Sequence, residues 1–183
     1  TKYVNGHSDV VGGILVTGKP EIAERLRFLQ NAIGSVMGPF DAYLTLRGLK
    51  TLDVRIRRHN ASALRIAKHL EASDLVDRVV YPGLESHPQH GVYKKQMEAT
   101  GGGGTGMITF FIKGGLEPAK AFLETVSIFT LAESLGGIEQ RAVLGIDDAL
   151  IRLSVGIEDC DDLIADVDRA LEAASAKMGT MAG

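Results

Sequence analysis

MITFFIKGGLEPAKAFLETV (residues 107–126) sets a strand beside a helix within twenty positions. MITFFI (107–112) is a short apolar run rich in aromatic and branched residues, the mark of a buried strand. LEPAKAFLETV (116–126) changes to helical spacing. The same alternation continues on both sides. VDRVVYPG (76–83) reads as strand then turn, HPQHGVYKKQM (87–97) as a short helix, and ALIRLSV (149–155) as a strand. CDDLIADVDRALEAA (160–174) closes the series as a helix with Leu163, Val167 and Leu171 on one stripe. Strands alternating with helices predict an α/β fold, a sheet covered by helices. Asp159 is the expected cap of the last helix, with Asp162 three residues on completing a capping box. SAKMGTMAG (175–183) lacks periodicity and is expected to fray.

The N-terminal part reads differently. DVVGGILVTG (9–18) predicts a buried strand with a close backbone approach at its glycine pair. EIAERLRFLQNAI (21–33) places Ile22, Leu26, Leu29 and Ile33 on one helical face, and GPF (38–40) breaks that helix. From Asp41 to Ala72 the helical pattern persists through Tyr43, Leu46, Leu49, Leu52, Ile56, Ala63, Ala67 and Leu70. One continuous helix of that length would reach about 45 Å, more than a small domain needs. The expectation is a connecting helix between two lobes, kinked near Gly48, with the boundary near residue 60.

Composition excludes several classes. The chain has 183 residues, 45% of them apolar and 23% charged, and a formal charge of -3. That balance gives nucleic acid no basic footprint. VRIRRH (54–59) reads as the solvated side of a helix rather than an anion site. Cys160 is the single cysteine, so no internal disulfide and no multi-cysteine zinc site can form. No apolar run approaches the ~20 residues of a membrane span.

Few residues stand out as chemistry. GGGGTG (101–106) lacks the G-K-[ST] ending of a phosphate loop and reads as a turn into the next strand. His7, His87 and His90 complete no recognised metal set. Lys2 precedes small and polar residues that lead into an apolar run, and a lysine there is either a solvated terminal side chain or a Schiff-base former. Arg152 interrupts an apolar strand and needs an anion, either a structural carboxylate or that of a substrate. LAESLGG (131–137) adds Glu133 and Ser134 before a glycine pair.

TKYVNGHSDVVGG (1–13), RLRFLQNAIGSVMGPFDAYLTLRGLKTL (25–52), VVYPGLESHPQH (79–90), FTLAESLGG (129–137) and LIRLSVGIED (150–159) together resemble, collinearly, the Cys/Met-metabolism enzymes that use pyridoxal phosphate. FLQN, the YPG-L-x-SHPQH turn and AESLGG resemble its gamma-lyase branch more closely than its gamma-synthases. The resemblance implies an aspartate-aminotransferase-like fold of type I. Residues 1–60 would then be the end of the large cofactor-binding domain and the start of the connecting helix. Residues 61–183 would be the connecting helix and the small C-terminal domain. It further implies that Lys2 carries pyridoxal 5'-phosphate and acts as the catalytic base, and that Thr1 contacts the cofactor phosphate. Arg152, Ser134 and Glu133 would bind an amino-acid substrate. The implied enzyme is a cytoplasmic homotetramer built from dimers, with no membrane or nucleic-acid partner. A cofactor-free interaction domain is the non-enzymatic alternative. In the family an N-terminal half with further cofactor contacts precedes this lysine, so the chain is expected to correspond to the C-terminal half. The family also carries a longer loop where Glu139 abuts Gln140, and a spatial break is expected there.

Overall fold

β2 (Met107–Ile112) lies in the middle of an antiparallel sheet, between β1 (Val76–Val80) and β3 (Leu150–Ser154). The computed structural model describes residues 1–99, 104–130 and 148–181. Before the sheet come α1 (Pro20–Ile33), α2 (Pro39–Leu49) and α3 (Leu52–Glu71). α4 (His90–Ala99) follows β1, α5 (Leu116–Thr125) follows β2, and α6 (Cys160–Met181) follows β3. The chain divides into two compact units, Thr1–Arg55 and Ile56–Gly183.

In the second unit, pairing fixes which side chains face inward. Ile108 is paired with Leu153 and Phe110 with Ile151, and all four are buried. α3 adds Ala63, Ile66, Ala67 and Leu70 to the same core, α5 adds Ala119 and Phe122, and α6 adds Leu163, Val167, Ala170 and Leu171. Phe110 meets Phe122 edge to face at 5.4 Å between ring centres. The opposite face is more open: Thr109 pairs with Arg152, and the Arg78 guanidinium lies over the Phe111 ring at 3.9 Å.

Three expectations about elements are corrected. Residues 9–18 form no strand. Strand backbone needs a neighbour to complete its hydrogen bonds, and no described strand pairs with this stretch. Val11 and Val16 are accordingly 89% and 90% exposed, although Val10 is buried. The long helix from Asp41 is two helices, because the chain turns at Lys50 and Thr51 with their N–H groups on Arg47 and Gly48 carbonyls. The tail does not fray where expected. α6 runs to Met181, and Met178 packs so closely against Gly114 that a Cβ on that glycine would lie 2.8 Å from it. Asp159 caps α6 as expected, its carboxylate accepting the Asp161 N–H at 2.9 Å. The Glu139–Gln140 junction lies outside the described residues, as does most of the glycine run at 101–103.

Asp166 ties α6 to the chain leaving α5. Its fully buried carboxylate accepts the backbone N–H groups of Ser127 (3.0 Å), Ile128 (2.9 Å) and Phe129 (3.3 Å), and the Ser127 hydroxyl (3.1 Å). Arg169 closes the cluster by pairing with the same carboxylate and donating to Ser127 Oγ at 2.7 Å. Burial pushes the Asp166 carboxyl up, but the donors from Ser127, Ile128 and Phe129 outweigh it and hold the group below its ordinary value. A carboxyl depressed in the folded state stabilises the fold above its unfolded value of about 3.9, and that contribution is lost as pH falls through the folded value. Asp166→Asn should therefore destabilise the protein by about 2 kcal/mol at neutral pH. In urea unfolding followed against pH, the gap between wild type and variant should be constant at neutral pH and shrink in acid, below the ordinary carboxylate range.

Candidate functional site

Lys2 sits at the start of a turn rather than a strand. The Gly6 N–H donates to the Lys2 carbonyl at 2.7 Å, closing the turn over residues 2–6. Gly6 has φ +81°, a conformation that favours glycine. The Asn5 side chain donates to Asp9 Oδ1 at 2.7 Å, and His7 Nδ1 donates to the Asn5 carbonyl at 2.8 Å. The Lys2 side chain is exposed and, among the described residues, has no hydrogen bond or ion pair. A primary amine so placed is sterically accessible to a carbonyl group.

Thr1 is engaged with its own segment. Its hydroxyl accepts the Gly12 N–H at 2.8 Å and donates to the Gly12 carbonyl at 3.1 Å. To donate to a phosphate, this hydroxyl has to turn away from Gly12, since a hydroxyl has one proton to give.

The residue that sequence reasoning missed is Arg55. It was expected on the solvated side of a helix, yet it is buried at 7% exposure. Nη1 donates to the Tyr3 carbonyl at 2.8 Å, Nη2 to the Gly48 carbonyl at 2.8 Å, and Nε to Thr51 Oγ1 at 3.0 Å. Local spacing holds one clue, a threonine four residues before the arginine on the same helical face. The partner at Tyr3 is 52 residues away and leaves no local trace. Gly48 serves the same packing: a Cβ there would lie 2.1 Å from the Asn5 carbonyl oxygen.

Arg152 belongs to the second unit. It stands on β3 between buried Ile151 and Leu153, on the face opposite the core, and is exposed. No ion pair or hydrogen bond to its guanidinium occurs among the described residues. Of the two partners its charge invites, the structural carboxylate is thus missing from the described residues. Glu133 and Ser134 lie outside the described residues. His7, His87 and His90 each engage neighbouring backbone, and no group of three potential metal ligands occurs among the described residues.

Comparison with known proteins gives these groups a context. A family model described as Cys/Met metabolism PLP-dependent enzyme matches residues 1–172. A cystathionine gamma-lyase of Mus musculus is 51% identical over 191 residues, covering 95% of this chain and 47% of its own. One of Dictyostelium discoideum is 50% identical over 189 residues, covering 94% and 48%. The crystal structure of yeast cystathionine gamma-lyase superposes with a TM-score of 0.85 at 50% identity, over 96% of this chain and 49% of that one. A cystathionine gamma synthase from Xanthomonas oryzae pv. oryzae, crystallised in complex with cystathionine, also reaches 0.85, at 42% identity, with the same coverage. The chain spans about half the length of the curated relatives it matches.

Because a Cβ at position 48 collides with backbone and not with a movable side chain, Gly48→Ala should destabilise the first unit by about 1–3 kcal/mol. Chemical denaturation followed by a probe in residues 1–55 measures it.

Proposed function

We propose a function from one established premise: the chain belongs to the Cys/Met metabolism PLP-dependent enzyme family. Its fold is the aspartate-aminotransferase-like fold of type I, shared with lyase and synthase structures, and the family's cofactor is pyridoxal phosphate. We infer that the protein cleaves the Cγ–S bond of L-cystathionine, consuming water and giving L-cysteine, 2-oxobutanoate and ammonia. The observation that carries this reading is the unpartnered amine of Lys2, held on a turn closed by the Gly6 N–H on the Lys2 carbonyl. Identity of 50–51% to gamma-lyases, against 42% to the synthase, favours the lyase direction.

The residues present fit the cofactor. Lys2 would hold its aldehyde carbon, and Thr1 its phosphate once the hydroxyl leaves Gly12. When bound, the cofactor supplies an electron sink for charge developing at the substrate Cα. The protein's own groups do the rest. The Lys2 amine would take the proton from Cα as general base and, once it has passed that proton on, a proton from Cβ. The electron pair left at Cβ would expel the sulfur at Cγ, and the Lys2 ammonium would protonate it as it departs as the thiol of cysteine. Arg152 offers the substrate α-carboxylate a planar, bidentate fork that stays charged throughout. We assign Ser134 to the same carboxylate and Glu133 to the distal ammonium of the substrate.

A second reading is supported by the equal superposition on the synthase: a homoserine ester loses its leaving group and cysteine adds at Cγ. The proposal extends to a cytoplasmic homotetramer built from dimers. No described helix is long and apolar enough to cross a membrane.

Steady-state assays of the holoenzyme separate the two readings. Release of 2-oxobutanoate from cystathionine at a rate well above cystathionine synthesis from cysteine and a homoserine ester is expected, and the reverse ranking overturns the lyase. Lys2→Ala should lower kcat by about 10³-fold, the scale of a lost acid–base group. Arg152→Ala should raise KM about 50-fold with little change in kcat, since the carboxylate is held equally in ground and transition states.

A further inference from the structure

We propose that Arg55 is a positioning residue for Lys2, setting where the lysine amine can reach by fixing the backbone that carries it. The inference rests on the assignment of Lys2 to the cofactor. Lys2's side chain has no polar partner among the described residues, so the place of its amine depends on the backbone below it. That backbone is held from one side by the Arg55 guanidinium. Nη1 takes the carbonyl of Tyr3, the residue directly after Lys2, at 2.8 Å. The rest of the fork is anchored where α2 meets α3, on the Gly48 carbonyl and the Thr51 hydroxyl. Position 6, which closes the Lys2 turn, lies against the same guanidinium: a Cβ there would be 2.1 Å from Nη1.

The donor set is unusual for a buried cation. Buried arginines ordinarily find a carboxylate, but Arg55 has none among the described residues and donates to three neutral oxygens on two separate pieces of chain, the Lys2 turn and the α2–α3 junction. A methionine or leucine could fill that volume with no charge to bury. What an apolar residue cannot do is hold the Tyr3 carbonyl, Gly48 and Thr51 in one plane at fixed separations, the task a rigid guanidinium performs. A lysine could serve one or two of those oxygens, without the planar geometry.

The test uses the holoenzyme, wild type and with Arg55→Met and Arg55→Lys. Borohydride reduction followed by peptide mass mapping reads how much cofactor is carried on Lys2, while kcat and KM for cystathionine and the melting temperature are measured in parallel. Misplacing a catalytic group by an ångström costs up to about 100-fold in rate. Arg55→Met should lower kcat by about 10- to 100-fold and reduce the cofactor trapped on Lys2, with KM within about threefold of wild type. Arg55→Lys should recover part of both losses. If Arg55→Met fails to fold, Arg55→Lys carries the test alone, with a fall in kcat at unchanged KM expected. A lowered melting temperature with kcat and trapping unchanged would reduce Arg55 to a structural role and overturn the inference. Wild-type enzyme that traps no cofactor on Lys2 would instead overturn the assignment of the lysine itself.

Discussion

The central strand of a three-stranded sheet has both edges committed, and its side chains alternate with a period of two. Once Phe110 and Ile108 of β2 face the helices, the paired residues Ile151 and Leu153 of β3 must face them too. Arg152, between those two, has no choice but the other side. A register slip of one residue would drive its guanidinium into the apolar core and expose the isoleucine and leucine together. The position of the one charged residue on β3 thus follows from the packing of its neighbours.

The first unit is held by other means. Residues 9–18 have the composition of a strand but no described neighbour to pair with, and α1 carries no buried residue. An apolar groove of about 910 Å³ runs between α1 and the extended segment, lined by Ile14, Leu15, Val16, Leu26, Leu29 and Ile33. What fixes residues 1–6 is polar: a closed turn, an asparagine–aspartate bond and a buried arginine. Hydrogen bonds to a charged donor are stronger than neutral ones, and breaking them strands buried carbonyls. A short irregular segment can be held in one conformation this way without a hydrophobic core of its own.

These two modes explain what was legible in the sequence. Period-two and period-3.6 patterns are local, so MITFFI, ALIRLSV and the helices of the second unit could be read directly, along with Asp159 at its cap. The strand at 9–18 was misread because composition reports the tendency to extend and pairing decides the outcome. The helix break at Lys50 and Thr51 has no proline to mark it. Arg55 was read by its chemistry, as a surface cation, and its burial depends on carbonyls contributed by Tyr3 and Gly48 that no side-chain pattern encodes. Lys2 and Arg152 drew notice for opposite reasons, one for standing before a polar rim and the other for breaking an apolar run. The roles proposed for them rest on resemblance to a family, since neither residue alone distinguishes a functional cation from a solvated one.

Charge chemistry explains why the two cations assigned to the reaction differ in type. A group that gives and takes protons must exist in two protonation states near neutrality, which lysine can reach and arginine cannot. It must also be free of a permanent counter-ion, because a carboxylate held against it would favour the ammonium form. Lys2 has no ion pair among the described residues. A group that holds a carboxylate from arrival to release has the opposite requirement, a charge that never changes and two parallel donors. Arginine supplies both, and a strand with buried residues on either side of it limits how far its stem can wander. The buried Arg55 uses the same rigidity for a third purpose. Buried, and with all three of its nitrogens already donating to backbone or a hydroxyl, it is placed to hold a segment of chain rather than a substrate.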